Sequence, residues 1–302
     1  MSRKSQNKDF KAVREEGESV EYNDIRIVGI VGCGLMGSGW AQICSVKGCR
    51  VIVSEIDEQA LEKGLNAIRE GLASGAGDLA ATNEEREAAA LRVKGTLNID
   101  EMAACDLIIE TIPEKMYLKK KVFMDLDKVC SPHAILATNT SVLSVLDIAQ
   151  ATKRPERVVG FNTNPLVFPI AEIIQTIVVA PDVIDAAKSF MQSLQKEVVV
   201  VKDSPGFILN RLVTSLILNA IRMVESGIAN ARDVDRVITV SLGWGKGPLA
   251  LADMIGLDTV LLGATSLYHD LNDVQFAPPV MLKKMVTAGF LGKKSGRGFY
   301  TY

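Results

Sequence analysis

The stretch 29–42, "GIVGCGLMGSGWAQ", constrains the chain more than any other, because it joins two element types through closely spaced glycines. The apolar run "IRIVGIVG", from Ile25, leads into it, and a helical pattern closed by Gly48 follows. A short continuous apolar run of this kind suits a strand buried on both faces. Gly32-x-Gly34-x-x-Gly37 falls at the junction. Gly32 permits a tight turn, Gly34 lets backbone approach a diphosphate, and Gly37 lets helix and strand pack closely. The helix start, with Leu35 and Met36, then offers backbone N–H groups to that diphosphate.

Glu55 ends the next strand candidate, "CRVIVSE", eighteen positions past Gly37. A carboxylate there accepts hydrogen bonds from both ribose hydroxyls of a dinucleotide and repels a 2′-phosphate, so the expected cofactor is NAD rather than NADP. Arg50 comes too early in the strand to reverse this. A glycine turn without a ligand is the plainer reading of the motif alone; the agreement of strand, turn, helix and acidic residue argues against it.

Strand candidates recur as "DLIIETIP", "AILATNT", "RVVGFNT", "AEIIQTIVV" and "EVVVVKD", separated by helical stretches such as "DEQALEKGLNAIREGLASG" and "NEEREAAALRVKG". This alternation predicts an α/β, doubly wound sheet with a largely parallel core. From Phe207 to about Ala288 only helical periodicity remains. The expected organisation is therefore a Rossmann-type domain over 25–204 and an all-helical domain over 205–302. Pro205 and Gly206 mark the boundary, the proline suiting the first turn of the next helix. Residues 1–24 mix both charges around no apolar core and read as a tail.

A formal net charge of −2, with Lys and Arg scattered, gives no reason to expect a nucleic-acid partner. Five cysteines form no CxxC pair, and His133 and His269 are the only histidines, so no zinc set assembles and no metal is expected. The odd cysteine count points to reduced thiols in a cytoplasmic protein. The most apolar helix candidate, "GFILNRLVTSLILNAIRMVES", is interrupted by Asn210, Arg211, Asn219 and Arg222, which favours a buried helix over a membrane span.

"GCGLMGSG", "DLIIETIPE", "ATNTS", "PLVFPIAEII", "DSPGFILNRL", "GPLALADMIGLDTV" and "LGKKSGRGFY" occur in that order from Ile25 to the end. Through them the chain resembles the 3-hydroxyacyl-CoA dehydrogenase family. The resemblance implies a Rossmann domain followed by a helical domain that forms a homodimer. It also implies reversible NAD-linked oxidation of the 3-hydroxyl of an acyl-CoA; the residues themselves leave open an acyl-carrier thioester as the alternative substrate. Carried over position by position, it places cofactor contacts at Gly32 to Gly37, Glu55, Glu114, Lys119, Ser141, Asn164 and Lys294. Ser141 and Asn210 fall on the substrate side, and Glu172 corresponds to the acidic partner of the family's catalytic histidine. Each has a plainer reading too. Ser141 could cap the helix after it, Asn210 could bond within its own helix, and Glu114 with Lys119 could be a charged pair on a solvated helix face. Lys294 could be one more solvated lysine.

The histidine itself is absent. In "GFNTNP" Asn162 occupies the position where the family carries it, and the segment from Gly160 to Glu172 is two residues shorter than the family spacing. No histidine lies between His133 and His269 to replace it. An amide cannot hold a transferred proton at neutral pH. Glu172 could take the proton directly or through water, the shorter loop swinging it toward the carbinol. The substrate could instead be a different hydroxyacyl compound that completes the relay. The base could have been removed by substitution, which the shortened loop argues against, or the protein could bind NAD without turnover as a sensor or scaffold. The β-hydroxyacid dehydrogenases use a lysine on the interdomain helix; here "GFILNRL" has none, and Lys202 precedes Pro205.

Overall fold

A computed structural model describes residues 25–75 and 81–302. The expected tail, 1–24, and most of the Gly- and Ala-rich junction near 76–80 lie outside the described residues. The chain divides into two compact units, one ending at Asp203 and the other beginning at Ser204.

The first unit is built on an eight-stranded sheet. Its strands are β1 (Ile27–Val31), β2 (Arg50–Ser54), β3 (Val93–Thr96), β4 (Leu107–Glu110), β5 (Ile135–Thr138), β6 (Val158–Asn162), β7 (Ile170–Gln175) and β8 (Glu197–Lys202). Their order is β3-β2-β1-β4-β5-β6-β7-β8. All neighbours pair in parallel except β6 and β7, which are antiparallel. The order reverses between β1 and β4, so the crevice beyond the carboxyl ends of these strands is where such a sheet takes ligands.

Among the described residues, six α-helices lie between these strands: α1 (Leu35–Val46), α2 (Glu58–Ser74), α3 (Asn83–Leu91), α4 (Met116–Val129), α5 (Val145–Ala149) and α6 (Pro181–Ser193). Alternation along the strands divides the sheet's two faces. Val28, Ile30 and Phe161 share one core cluster with Trp40 of α1, Ile68 of α2 and Phe190 of α6. On the other face, a Cβ added to Gly160 would lie 2.7 Å from Val145 of α5. Complete burial of Ile30, Phe161 and Phe190 contributes about 1.5–3 kcal/mol per side chain.

Two expectations about elements of this unit are corrected. The stretch "NEEREAAALRVKG" is not helical throughout: α3 stops at Leu91 and residues 93–96 form edge strand β3 on β2. The strand expected over "AEIIQTIVV" ends at Gln175, where the Thr176 hydroxyl accepts from the Val178 and Val179 amides and turns the chain.

The second unit contains α7 (Leu209–Glu225), α8 (Ala231–Leu242), α9 (Pro248–Ile255), α10 (Leu257–Leu271) and α11 (Val280–Thr287). Ile217, Leu218, Leu249, Leu257, Ala264 and Leu282 lie in its core. The buried Asp253 carboxylate accepts from the Phe299 and Tyr300 amides and ties down the terminal "GRGFY". Pro205 does not start a helix, as the sequence led us to expect. Gly206 and Phe207 follow it with φ of 72° and 51°, a left-handed turn that delays α7 to Leu209. Among the described residues no single helix is long and apolar enough to cross a membrane; α9 and α10 meet that test only as a pair, bent by 100°.

Candidate active site

The glycine turn joins β1 to α1 at the sheet's reversal point. Gly32 has φ +89°, its amide donates to the Ser54 carbonyl at 2.9 Å, and the Thr111 hydroxyl donates to its carbonyl at 2.6 Å. A Cβ at Gly37 would fall 1.9 Å from the Gly32 carbonyl oxygen, so only glycine lets the helix start beneath the turn. A Cβ at Gly34 would meet nothing within 4 Å. The backbone there opens outward at a helix start that no side chain caps. That combination fits a diphosphate seated on the first-turn N–H groups, beside Leu35 and Met36.

Glu55 follows β2 directly. Its carboxylate accepts from the Cys33 amide at 2.5 Å and from the Ile56 amide at 3.1 Å, which anchors it against the turn. A carboxylate held beside a diphosphate seat suits the adenosine ribose diol. Ile56 and Leu35, 90% and 82% exposed, add apolar surface beside it. Cys33, between the glycines, is buried, and burial followed by the nearby Glu55 charge pushes its thiol up to about 12. It is a neutral packing group.

Glu114 and Lys119 do not lie on a solvated helix face. The Lys119 side chain, in α4, is 1% exposed and lies 2.7 Å from Glu110 and 3.3 Å from Glu114. Glu110, at the end of β4, is fully buried and also accepts from the Thr138 hydroxyl and the Ile112 amide, both at 2.7 Å. Burial raises its carboxyl above the ordinary range, against the lowering pull of Lys119. Glu114 in turn accepts from the Thr140 hydroxyl and from the Ser141 and Val142 amides. Two carboxylates and one ammonium thus tie the ends of β4 and β5 to the exposed loop that carries Ser141. Ser141 is not a helix cap; Ser144 caps α5 by accepting from the Asp147 amide.

Asn162 and Glu172 are register partners on β6 and β7. Both are buried, and Asn162 Nδ2 donates to Glu172 Oε2 at 2.5 Å. Residues 163–169 form the loop between them. The register of the two strands holds Glu172 directly opposite position 162. Asn164 Oδ1 accepts from the Leu166 amide within this loop.

In the helical unit, Asn210 is the second residue of α7 and half-buried. Lys294 is not simply solvated: its ammonium donates to Asp258 at 2.7 Å. His133 precedes β5, at the opposite strand end from Glu110 and Glu172's partner Asn162 on β6. His269, 86% exposed, meets Asp270. Among the described residues no three His, Cys, Asp or Glu side chains gather as metal ligands do.

Sequence reasoning missed Glu110, Thr140, Asn139, Trp40 and Ile56. A carboxylate closing the apolar run "DLIIE" was the one available signal, since a charge there must be paired if it is buried.

The model of the 3-hydroxyacyl-CoA dehydrogenase NAD binding domain matches residues 27–204, and that of the 3-hydroxyacyl-CoA dehydrogenase C-terminal domain matches 206–302. A 3-hydroxybutyryl-CoA dehydrogenase of Mycobacterium tuberculosis is 39% identical over 283 residues, covering 92% of this chain and 99% of the relative. The crystal structure of M. tuberculosis FadB2 superposes with a TM-score of 0.89 at 38% identity, over 92% of this chain and 99% of that one. That of (S)-3-hydroxybutyryl-CoA dehydrogenase PaaH1 from Ralstonia eutropha gives 0.87 at 35% identity, with the same coverage. Matched in order by both domain models, and carrying a glycine turn and acidic anchor that fit NAD, the chain belongs to the 3-hydroxyacyl-CoA dehydrogenase family and is an NAD-dependent dehydrogenase of that type.

Proposed function

We propose that the chain interconverts a 3-hydroxyacyl and a 3-oxoacyl thioester, with Glu172 handling the hydroxyl proton where the family uses an imidazole. The observation that carries this reading is the 2.5 Å hydrogen bond between Asn162 and Glu172 on paired strands. An ionised carboxylate is an acceptor able to take a proton, whereas the amide can only orient it. Bound NAD supplies a hydride acceptor for the carbinol carbon. Glu172 takes the hydroxyl proton, directly or through one water, as the carbonyl forms, and returns it in the reverse direction. Ser141, on the loop held by Glu114, donates to the substrate oxygen. Glu55 binds the ribose diol, the Gly32–Gly37 turn binds the diphosphate, Glu114 and Asn164 complete the cofactor contacts, and Lys119, buried between Glu110 and Glu114, supports them by holding Glu114 in place. By family resemblance the proposal extends to Asn210 as a substrate contact and Lys294 as a cofactor contact.

The names of the relatives make 3-hydroxybutyryl-CoA the first substrate to try, with acyl-carrier thioesters next. Homodimerisation through the helical domain belongs to the same reading. Val237, Val240 and Leu242 on α8 are 62%, 75% and 57% exposed, apolar surface on one helix that a second copy could cover. The free thiols suit a reducing cytoplasm.

The missing imidazole favours one further reading, a NAD-binding sensor or scaffold without turnover. Nicotinamide absorbance, followed with 3-hydroxybutyryl-CoA and a panel of hydroxyacyl thioesters, separates the two. The enzyme reading requires turnover that Glu172→Gln lowers by about 10²–10⁴-fold. Tight NADH binding with no turnover across the panel would leave the sensor.

A further inference from the structure

Asn162 is bracketed from behind. Trp40 of α1 is completely buried, and its indole N–H donates to Asn139 Oδ1 at 3.0 Å. Its ring also packs on that of Phe161, with centroids 6.0 Å apart. Asn139 follows β5, and its backbone amide donates to the Glu110 carbonyl at 2.8 Å. Its side-chain Nδ2 donates to the Phe161 carbonyl at 2.6 Å and reaches the Thr163 carbonyl at 3.4 Å. One amide therefore engages the carbonyls on both sides of Asn162. Thr163 Oγ1 donates across the hairpin to the Ile170 carbonyl at 2.7 Å, closing the far side.

The chemistry of the indole fixes this arrangement. Its N–H donates and cannot accept, so only the oxygen of the Asn139 amide can face it. The NH₂ end must then face the strand. A flipped amide would lose the indole bond and set its oxygen against two carbonyl oxygens. The indole and the two carbonyls thus select the same orientation of the Asn139 amide, and the indole bond reinforces it from the oxygen end.

We propose that Trp40 and Asn139 are positioning residues for proton transfer: the indole locks the Asn139 amide, which holds the strand end so that Asn162 and Glu172 keep their alignment. This rests on the proposed role of Glu172. The device also links two parts of the site. Trp40 lies six residues beyond Gly34, the cap of α1, roughly 9 Å along the helix axis. A Cβ added to Gly39, one residue earlier, would come within 3.1 Å of Pro165 in the loop after Asn162. One helix thus reaches from the diphosphate seat to the backbone around the proton-handling pair.

Trp40→Phe tests the device, because it keeps an aromatic ring against Phe161 and removes the N–H. Asn139→Asp keeps the acceptor for Trp40 and removes the donor to the two carbonyls. Both should lower kcat by about ten-fold or more, since displacements near 1 Å can cost about 10²-fold, while KM for NAD stays within about two-fold. Their effects on kcat should be less than additive in the double variant, as expected of residues acting through one bond. Thermal melts confirm folding and normalise kcat to folded enzyme. In a Trp244→Phe background, Trp40 is the single tryptophan, and its emission should shift to the blue in Asn139→Leu as the indole loses its partner. Should Asn139→Asp fail to fold, Trp40→Phe decides alone. A folded Trp40→Phe with unchanged kcat overturns the inference and leaves the proposed function standing. Wild-type protein with no turnover on any thioester overturns both.

Discussion

Asn162 and Glu172 stand directly opposite each other on antiparallel strands, and the amide of the first donates to the carboxylate of the second. Strand pairing, rather than loop conformation, sets this relationship. Position 162 is therefore a defined place for a side chain facing Glu172, and an imidazole introduced there could donate one ring N–H to the same carboxylate. Asn162→His should raise kcat with 3-hydroxybutyryl-CoA by about ten-fold or more, within the 10²–10⁴-fold that a general base typically supplies. Steady-state kinetics at several pH values checks this. The variant should also show a pH dependence near neutrality contributed by the new imidazole, because histidine titrates there. An unchanged kcat would mean that position 162 does not face the reacting carbinol.

The glycines of the turn separate binding from folding. A Cβ at Gly34 meets nothing within 4 Å, and its φ of −73° is open to any L residue. Gly34→Val should therefore melt within about 2 °C of the wild type, as for an ordinary surface change of about 0.5 kcal/mol or less, yet lose NADH binding by filling the diphosphate approach. At Gly37 the added carbon would lie 1.9 Å from a carbonyl oxygen. Gly37→Ala should destabilise by about 1–3 kcal/mol or more through forced backbone movement. Thermal melts paired with NADH fluorescence titrations distinguish the two; equal destabilisation by both would contradict this division of roles.

The thiols give a third expectation. Burial pushes Cys33 and Cys130 up to about 12 and Cys49 to about 11, and holds Cys44 and Cys105 well above the usual thiol range. Only the thiolate reacts readily. The native protein should take up iodoacetamide slowly at mildly alkaline pH, with half-buried Cys49 first, and all five should react once it is denatured. Mass spectrometry of the modified peptides reads the order.

Local requirements were legible in the sequence and tertiary ones were not. The turn at Gly32 to Gly37 could be read because each glycine answers a backbone need set by its immediate neighbours. The helical second half could be read from periodicity. β3 could not: it is four residues long and follows α3 after one residue, so the helical pattern runs into it. Lys119 looked solvated because a side chain's burial depends on what the sheet brings beside it, here a carboxylate nine residues earlier that the strand end hides. The bond between Trp40 and Asn139 spans 99 residues, and neither residue belongs to a motif that would have paired them. That no histidine lies between His133 and His269 was plain from the residues; the strand register that places Glu172 opposite Asn162 was not.

Glu110 connects the charge network to stability. Burial raises its carboxyl above the ordinary glutamate value of 4.5, while Lys119, Thr138 and the Ile112 amide pull the other way. A raised value means that the folded protein binds this proton more tightly than the unfolded chain. The resulting stability is fully present below about pH 4.5 and is lost as pH rises through the folded value. Glu110→Gln carries no charge at any pH and escapes that loss, and Lys119 still has Glu114 at 3.3 Å. The Tm of the wild type minus that of the variant should therefore fall as pH increases from 4.5, and level off once Glu110 is ionised in both states. Calorimetric melts of the two proteins in buffers of matched ionic strength read the difference. A gap that widens with pH would mean that the attraction of Lys119 outweighs the cost of burying the carboxylate.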